Sequence, residues 1–284
     1  MLNTHSNLKI YLAGDFSDND LDIVPMKRRL FSYYYHHEGD QPSAKVVIAD
    51  EQYKLDLFLD SGAFTAFEKD EDIDVEDYAA YVRNVQHRFT VCSSLDVIGD
   101  AQKSYDNCGA LESSGCKVVP VFHAREDVRW LVRYLDEGYD YICIGGMVPE
   151  SARWRRAWLD WLYAEYLTNR DGTPRVKLHG FGLTSPPLMF RYPWYSVDST
   201  SWMQVGMYGA CDFNTPRGLR KIYFSSESPQ AKKLDSEHYR NLHPLDRQDV
   251  DSRLARFGVT AAQCEHSYIY RHKVNAQTFQ EMEL

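Results

Sequence analysis

The sequence predicts an α/β protein, a (β/α)8 TIM barrel with a polar, helical C-terminal extension, and three observations predict it. Short apolar, β-branched runs recur along the chain, separated by amphipathic stretches of ten or more residues, and such spacing demands crossovers and therefore a parallel sheet. About eight of these units fit within 284 residues, which suits one closed barrel. The G-x-G-x-x-G fingerprint of an open dinucleotide-binding sheet is missing from "YLAGDF", and no "GK[ST]" occurs anywhere.

In order, "LKIYLAG" (8–14) reads as a strand, "NDLDIVPMKRRLFSYYY" (19–35) as mainly helix, and "LDLFLDSGAF" (55–64) as a strand running into a glycine turn. A helix near 75–86 precedes strand 89–99, helix 100–114 precedes strand 117–123, and helix 125–137 precedes strand 139–146. Helix 151–167 then leads to strand 176–183, and a short helix over 185–191 leads to "WYSVDS" (194–199). "KIYF" (221–224) is the expected last strand of the barrel. The division that follows is a barrel domain over 1–214, with the last strand and an extension able to contact nucleic acid over 215–284.

Composition narrows the function. A hydrophobic share of 44% and a charged share of 26% are those of a globular protein. The formal charge of −9 excludes a generically basic nucleic-acid coat, so a polyanion has to be met by a local patch. Arg153, Arg155 and Arg156, beside Trp154, Trp158 and Trp161, form one such cluster, and a slightly basic tail after Thr215 is another. The plainer reading of either is a solvated face, because charge runs usually only solvate. The 20 tyrosines and 6 tryptophans hint at surfaces that stack on flat partners. The six cysteines make no C-x-x-C pair, and the first residues lack a signal-peptide layout, so a reduced cytoplasmic protein is expected. No apolar run approaches the ~20 residues needed to span a bilayer.

Reactive groups of a (β/α)8 barrel sit at the C-terminal ends of its strands. Those ends carry Asp60, Asp96, His123, Gly145 with Gly146, His179 and Asp198. An Asp after a strand also reads as the N-cap of the next helix, and a glycine pair also reads as a plain turn. Three carboxylates and two imidazoles at one mouth would nonetheless be costly to desolvate unless a ligand used them. Two carboxylates facing each other across a sugar can divide glycosyl transfer, one attacking the anomeric carbon and one shuttling protons. Glycines let a flat ligand approach the backbone, and Phe64 could supply a stacking face.

"LDSGAF" (59–64), "LDVIGD" (95–100), "PVFH" (120–123), "YICIGGMVP" (141–149), "LHGFGLTS" (178–185) and "YSVDSTSW" (195–202), in that order, resemble the tRNA-guanine transglycosylase (queuine tRNA-ribosyltransferase) superfamily, and look closest to the phage and bacterial DNA 7-deazaguanine transglycosylases. The resemblance spans residues 8 to 202. It implies base exchange in a polynucleotide, with Asp198 as the nucleophile and Asp60 as the acid and base. It further implies that Asp96 reads the guanine edge, that Gly145 and Gly146 approach the base carbonyl, that Phe64 stacks, and that Ser61, His123 and His179 line the base site. Ala63 and Thr65 depart from the pattern, as do His123, where a glutamine is expected, and His179, where a methionine is expected.

The tRNA enzymes carry a C-x-C-x-x-C zinc cluster that this chain lacks, which favours DNA over tRNA as the guanine-bearing partner. No cofactor is expected, and Cys211, Cys264, His266 and His272 are the weak candidates for a zinc site. The incoming partner would be a 7-deazaguanine such as a preQ-type precursor, in the cytoplasm, or in the host cytoplasm for a phage-encoded chain. The alternatives are a nucleoside or base hydrolase on the same barrel and a non-catalytic purine-binding protein. A metal-dependent amidohydrolase lacks its H-x-H in "LKIYLAGDF".

Overall fold

The computed structural model describes residues 8–15, 22–183, 185–216, 218–228 and 237–283. Eight parallel strands form one sheet: β1 (Lys9–Leu12), β2 (Arg28–Ser32), β3 (Asp56–Asp60), β4 (Val91–Cys92), β5 (Val121–His123), β6 (Tyr141–Gly145), β7 (Lys177–Gly180) and β8 (Ser196–Ser199). Each strand pairs with its sequence neighbour, and β8 returns to β1 through Tyr11↔Asp198 and its flanking pairs. The bridge Ser93↔Val119 joins β4 to β5, with Val119 N–H donating to the Cys92 carbonyl at 2.8 Å and Ser94 N–H to the Val119 carbonyl at 2.8 Å. The sheet therefore closes, as expected of a (β/α)8 barrel.

Alternation along the strands sorts side chains into two layers. Tyr11, Leu30, Phe58, Val91, Val121 and Cys143 pack together in the barrel interior. Phe31, Leu57, Leu59 and Cys92 pack outward, against Tyr78, Tyr81, Val82 and Val85 of a helix over Val75–Val85. That helix starts where Asp74 accepts from the backbone of Glu76 and Asp77, an N-cap that satisfies donors otherwise left open. At the N-terminal ends of the strands, Asp56 accepts from Lys9 at 2.9 Å, Tyr11 at 3.0 Å and Arg28 at 3.3 Å.

The structure corrects two expectations. Residues 28–32, read as part of a helix, are β2, and "KIYF" is not a barrel strand. Two adjacent arginines disguise β2, because each buries its charge in a way periodicity does not show. Arg28 pairs with Asp56, and the fully buried Arg29 lays its guanidinium 4.2 Å from the Phe31 ring centre.

The chain divides into two compact units, Met1–Ala13 with Arg28–Ser199, and Gly14–Lys27 with Thr200–Leu284. All eight barrel strands belong to the first, so the barrel ends at Ser199 and not beyond 215. In the second unit, an antiparallel hairpin of β9 (Ala210–Thr215) and β10 (Gly218–Tyr223) packs Phe213, Ile222 and Phe224 against Val250, Leu254 and Val274 of two helices, Pro244–Arg256 and Tyr268–Gln280. Asn275 holds this unit together by accepting from Asp212 N–H at 2.7 Å and donating to the Trp202 carbonyl at 2.8 Å.

Candidate active site

The C-terminal ends of the barrel strands bring the three expected carboxylates together. Asp60 ends β3, Asp96 follows β4 and Asp198 lies within β8. All three raise the pKa of the same buried thiol, that of Cys143 on β6, and burial adds the largest share of that shift. The capping alternative fails for each of them. The helix Ala63–Glu68 after Asp60 has Gly62 at its N-cap, and the helix Ala101–Ser113 after Asp96 is capped by Asp100.

Asp60 accepts from Gly62 N–H at 3.0 Å. Gly62 is left-handed, with φ 81°, and sits so close to Ser32 and Tyr34 that a Cβ would lie 2.4 Å from the Ser32 hydroxyl. Only glycine suits that turn. Burial first, and then the nearby charges of Asp96 and Asp198, push the Asp60 carboxyl up to about 8. Surface area leaves the residue partly open at the mouth although its surroundings are dense with protein, so it is a deep group with one face on solvent. An acid that keeps its proton at neutral pH can deliver it to a leaving group.

Asp198 is 7% exposed. Its Oδ1 accepts from Gly182 N–H at 2.9 Å and lies 3.2 Å from His179 Nε2, whereas Oδ2 has no hydrogen-bond partner among the described residues. His179 is sealed from solvent, with Nδ1 2.6 Å from Ser196 Oγ and its ring between Phe58 and Phe181. Tyr141 in turn meets Ser196. Every group in this chain is satisfied when Tyr141 donates to Ser196, Ser196 to Nδ1, and Nε2–H to Asp198. His179 thus lies beneath the carboxylate and orients it, rather than lining a base site as the resemblance implied.

Asp96 is held on both oxygens. Ser61 donates to Oδ1 at 3.0 Å, and His123 Nε2 lies 3.0 Å from Oδ2. Ser61 is fully buried and also takes Ala63 N–H at 3.3 Å, so it supports Asp96 from behind. On its other side, His123 Nδ1 lies 3.3 Å from Glu126 Oε1, and its backbone N–H donates to Glu126 Oε2 at 2.9 Å. Burial acts to lower the His123 pKa, but hydrogen bonds to Asp96 and Glu126, and their charges, outweigh it and raise it to about 10. Gly145 has its reason here, since a Cβ there would lie 2.6 Å from the His123 ring, and Gly146 is left-handed with φ 72°. Phe64 is exposed on the helix after Asp60.

Glu126 is the site residue that motif reading missed. The signal was present as an acidic residue three positions after a histidine at a strand end. Beside Asp96, a cleft of ≈ 510 Å³ opens between the helices Ala63–Glu68 and Ala101–Ser113, and Phe67, Asp70, Glu71, Asp72 and Asp74 line it. Of the arginine cluster, Arg153 is exposed with no ion pair among the described residues, Arg155 is half-buried, and Arg156 faces Asp160 at 3.9 Å. Of the weak zinc candidates, Cys211 and Cys264 place their sulfurs 4.0 Å apart while His272 Nε2 meets the Met203 carbonyl at 3.0 Å, and among the described residues no three His, Cys, Asp or Glu side chains are arranged to hold a metal ion. No described helix is long and apolar enough to cross a membrane.

No protein-family model matches the chain, and no curated protein matches it in sequence. Among solved structures it matches 3-hexulose-6-phosphate synthase from Salmonella typhimurium at 16% identity, over 67% of this chain and 88% of that one, with a TM-score of 0.35. A likeness that low carries no argument about chemistry, and the barrel stands on its own strand order.

Proposed function

We propose that the chain is a transglycosylase that exchanges guanine for a 7-deazaguanine in a polynucleotide, DNA in preference to tRNA. The observation that carries this reading is the contrast between Asp60 and Asp198 at one mouth. Asp60 holds a proton to about pH 8, while Asp198 keeps Oδ2 open and Oδ1 braced by His179 and Gly182. Asp198 Oδ2 attacks C1′ as the C1′–N9 bond breaks, and the proton of Asp60 passes to the departing guanine. The incoming 7-deazaguanine then returns its N9 proton to Asp60 as N9 displaces the Asp198 ester. Within a duplex the target nucleotide has to leave the stack to reach such a mouth. The acidic cleft beside Asp96 repels phosphates, so the strand is expected on the side of Arg153, which is exposed and has no ion pair among the described residues.

Incubation with guanine-labelled single-stranded DNA and with tRNA tests the reading. Release of labelled guanine that depends on a 7-deazaguanine, together with a covalent adduct lost in Asp198→Ala, is the expected result. Full exchange by Asp198→Ala would overturn the mechanism, and guanine release with no uptake of a deazaguanine would replace it with hydrolysis.

A further inference from the structure

His123 differs from His179 in what its ring faces. A carboxylate oxygen sits at each ring nitrogen, Asp96 Oδ2 at 3.0 Å from Nε2 and Glu126 Oε1 at 3.3 Å from Nδ1. A singly protonated ring has one N–H and one lone pair, and a lone pair aimed at a carboxylate oxygen is repelled. Both acceptors are satisfied only when both nitrogens carry protons. Glu126 is itself fixed, because its second oxygen takes the His123 backbone N–H at 2.9 Å. All three side chains are more than nine-tenths buried, so the interaction is little screened by water.

We propose that Glu126 is the positioning residue of this site: it holds His123 as a doubly protonated cation, and His123 fixes Asp96 so that the carboxylate meets a ligand as a rigid pair of acceptors. With Ser61 on Oδ1 and His123 on Oδ2, Asp96 cannot rotate, and it lines the cleft with its remaining lone pairs fixed in direction. Such an edge accepts a flat heterocycle that offers two adjacent N–H donors and rejects one that offers an acceptor there. The choice of guanine as that heterocycle rests on the exchange reading, but the clamp does not. Its chemistry explains why a histidine is tolerated where a neutral amide was expected: the cation offsets one of the two carboxylate charges of Asp96 and Glu126 that flank it. The other titratable groups near it are Tyr134, which faces Glu126 from the helix Arg129–Asp136, Tyr78, which faces Asp96 from the helix Val75–Val85, Asp60, which faces Asp96 from β3, and the Cys143 thiol of β6.

The test is a titration of the His123 ring by ¹³C-resolved NMR in the intact chain, beside the affinity for free guanine across pH 6–9. In the unaltered protein the ring stays doubly protonated through neutral pH, in line with its raised pKa of about 10, and guanine affinity shows no break from this group. Glu126→Gln is expected to lower the ring midpoint by about one to two pH units and to weaken guanine binding roughly tenfold above the new midpoint. Glu126→Asp, which restores the charge, should move the midpoint back. A singly protonated ring at pH 7 in the unaltered protein, or a midpoint unmoved in Glu126→Gln, overturns the proposal. Absence of guanine binding at every pH would instead count against the exchange reading, while the ring titration would still decide the clamp.

Discussion

Replacing Asp60 by Asn is expected to make the protein more stable and inactive at once. The unfolded chain releases this proton near the ordinary value of 3.8, whereas the folded protein holds it to about 8. Between those values the folded state binds the extra proton, so raising the pH favours unfolding. The contribution is fully present below about pH 4 and is lost as the pH climbs through about 8, with a slope of about 1.4 kcal/mol per pH unit. From pH 5 to 8 that amounts to about 4 kcal/mol, reduced to about 2 kcal/mol if contact with solvent at the mouth halves it. Asn cannot ionise, yet its side-chain oxygen still accepts from Gly62 N–H, now at 3.0 Å from the carboxylate. Urea denaturation of both proteins at half-unit pH steps should show the advantage of Asp60→Asn growing by about 2–4 kcal/mol across that interval and levelling off above it. Parallel curves would refute the assignment of Asp60 as a group that holds its proton, and with it the proton donor of the exchange.

Gly62→Ala adds a left-handed alanine whose Cβ lies 2.4 Å from Ser32 Oγ and 2.5 Å from Tyr34 Cβ, so a loss of about 2–4 kcal/mol in denaturant midpoint stability is expected, with exchange reduced further as Asp60 shifts. Arg153→Glu should weaken binding of a guanine-containing single strand and lower the salt slope of log K by about 1 or more, measured by fluorescence anisotropy, whereas Asp72→Asn in the acidic cleft should not weaken it. Equal effects from the two would remove the assignment of a strand path.

Much of the barrel was legible because its strands are short, apolar and separated by capped helices such as Val75–Val85. β2 was not, because its arginines find partners only in the folded sheet, Arg28 on Asp56 and Arg29 over Phe31. "KIYF", which ends the hairpin of β9 and β10, was read as a barrel strand since such a run does not encode which strand it joins. Asp60, Asp96 and Asp198 were legible from position alone, being acidic residues at or beside strand ends. The roles of the histidines were not, since whether an imidazole touches a ligand or braces a carboxylate depends on neighbours distant in sequence, such as Ser196 below His179. Glu126 was overlooked for the same reason: its importance lies in Asp96, 30 positions earlier.

The barrel is sewn shut between β4 and β5 by very few stitches, the Ser93↔Val119 bridge and two backbone hydrogen bonds. Just above that seam, Asp96 on one bank and His123 on the other clasp hands. A guest that grips Asp96 therefore also tugs on the zipper of the whole barrel, and the backbone amides of Ser94 and Val119 should report its arrival by exchanging their hydrogens more slowly than those of the opposite wall.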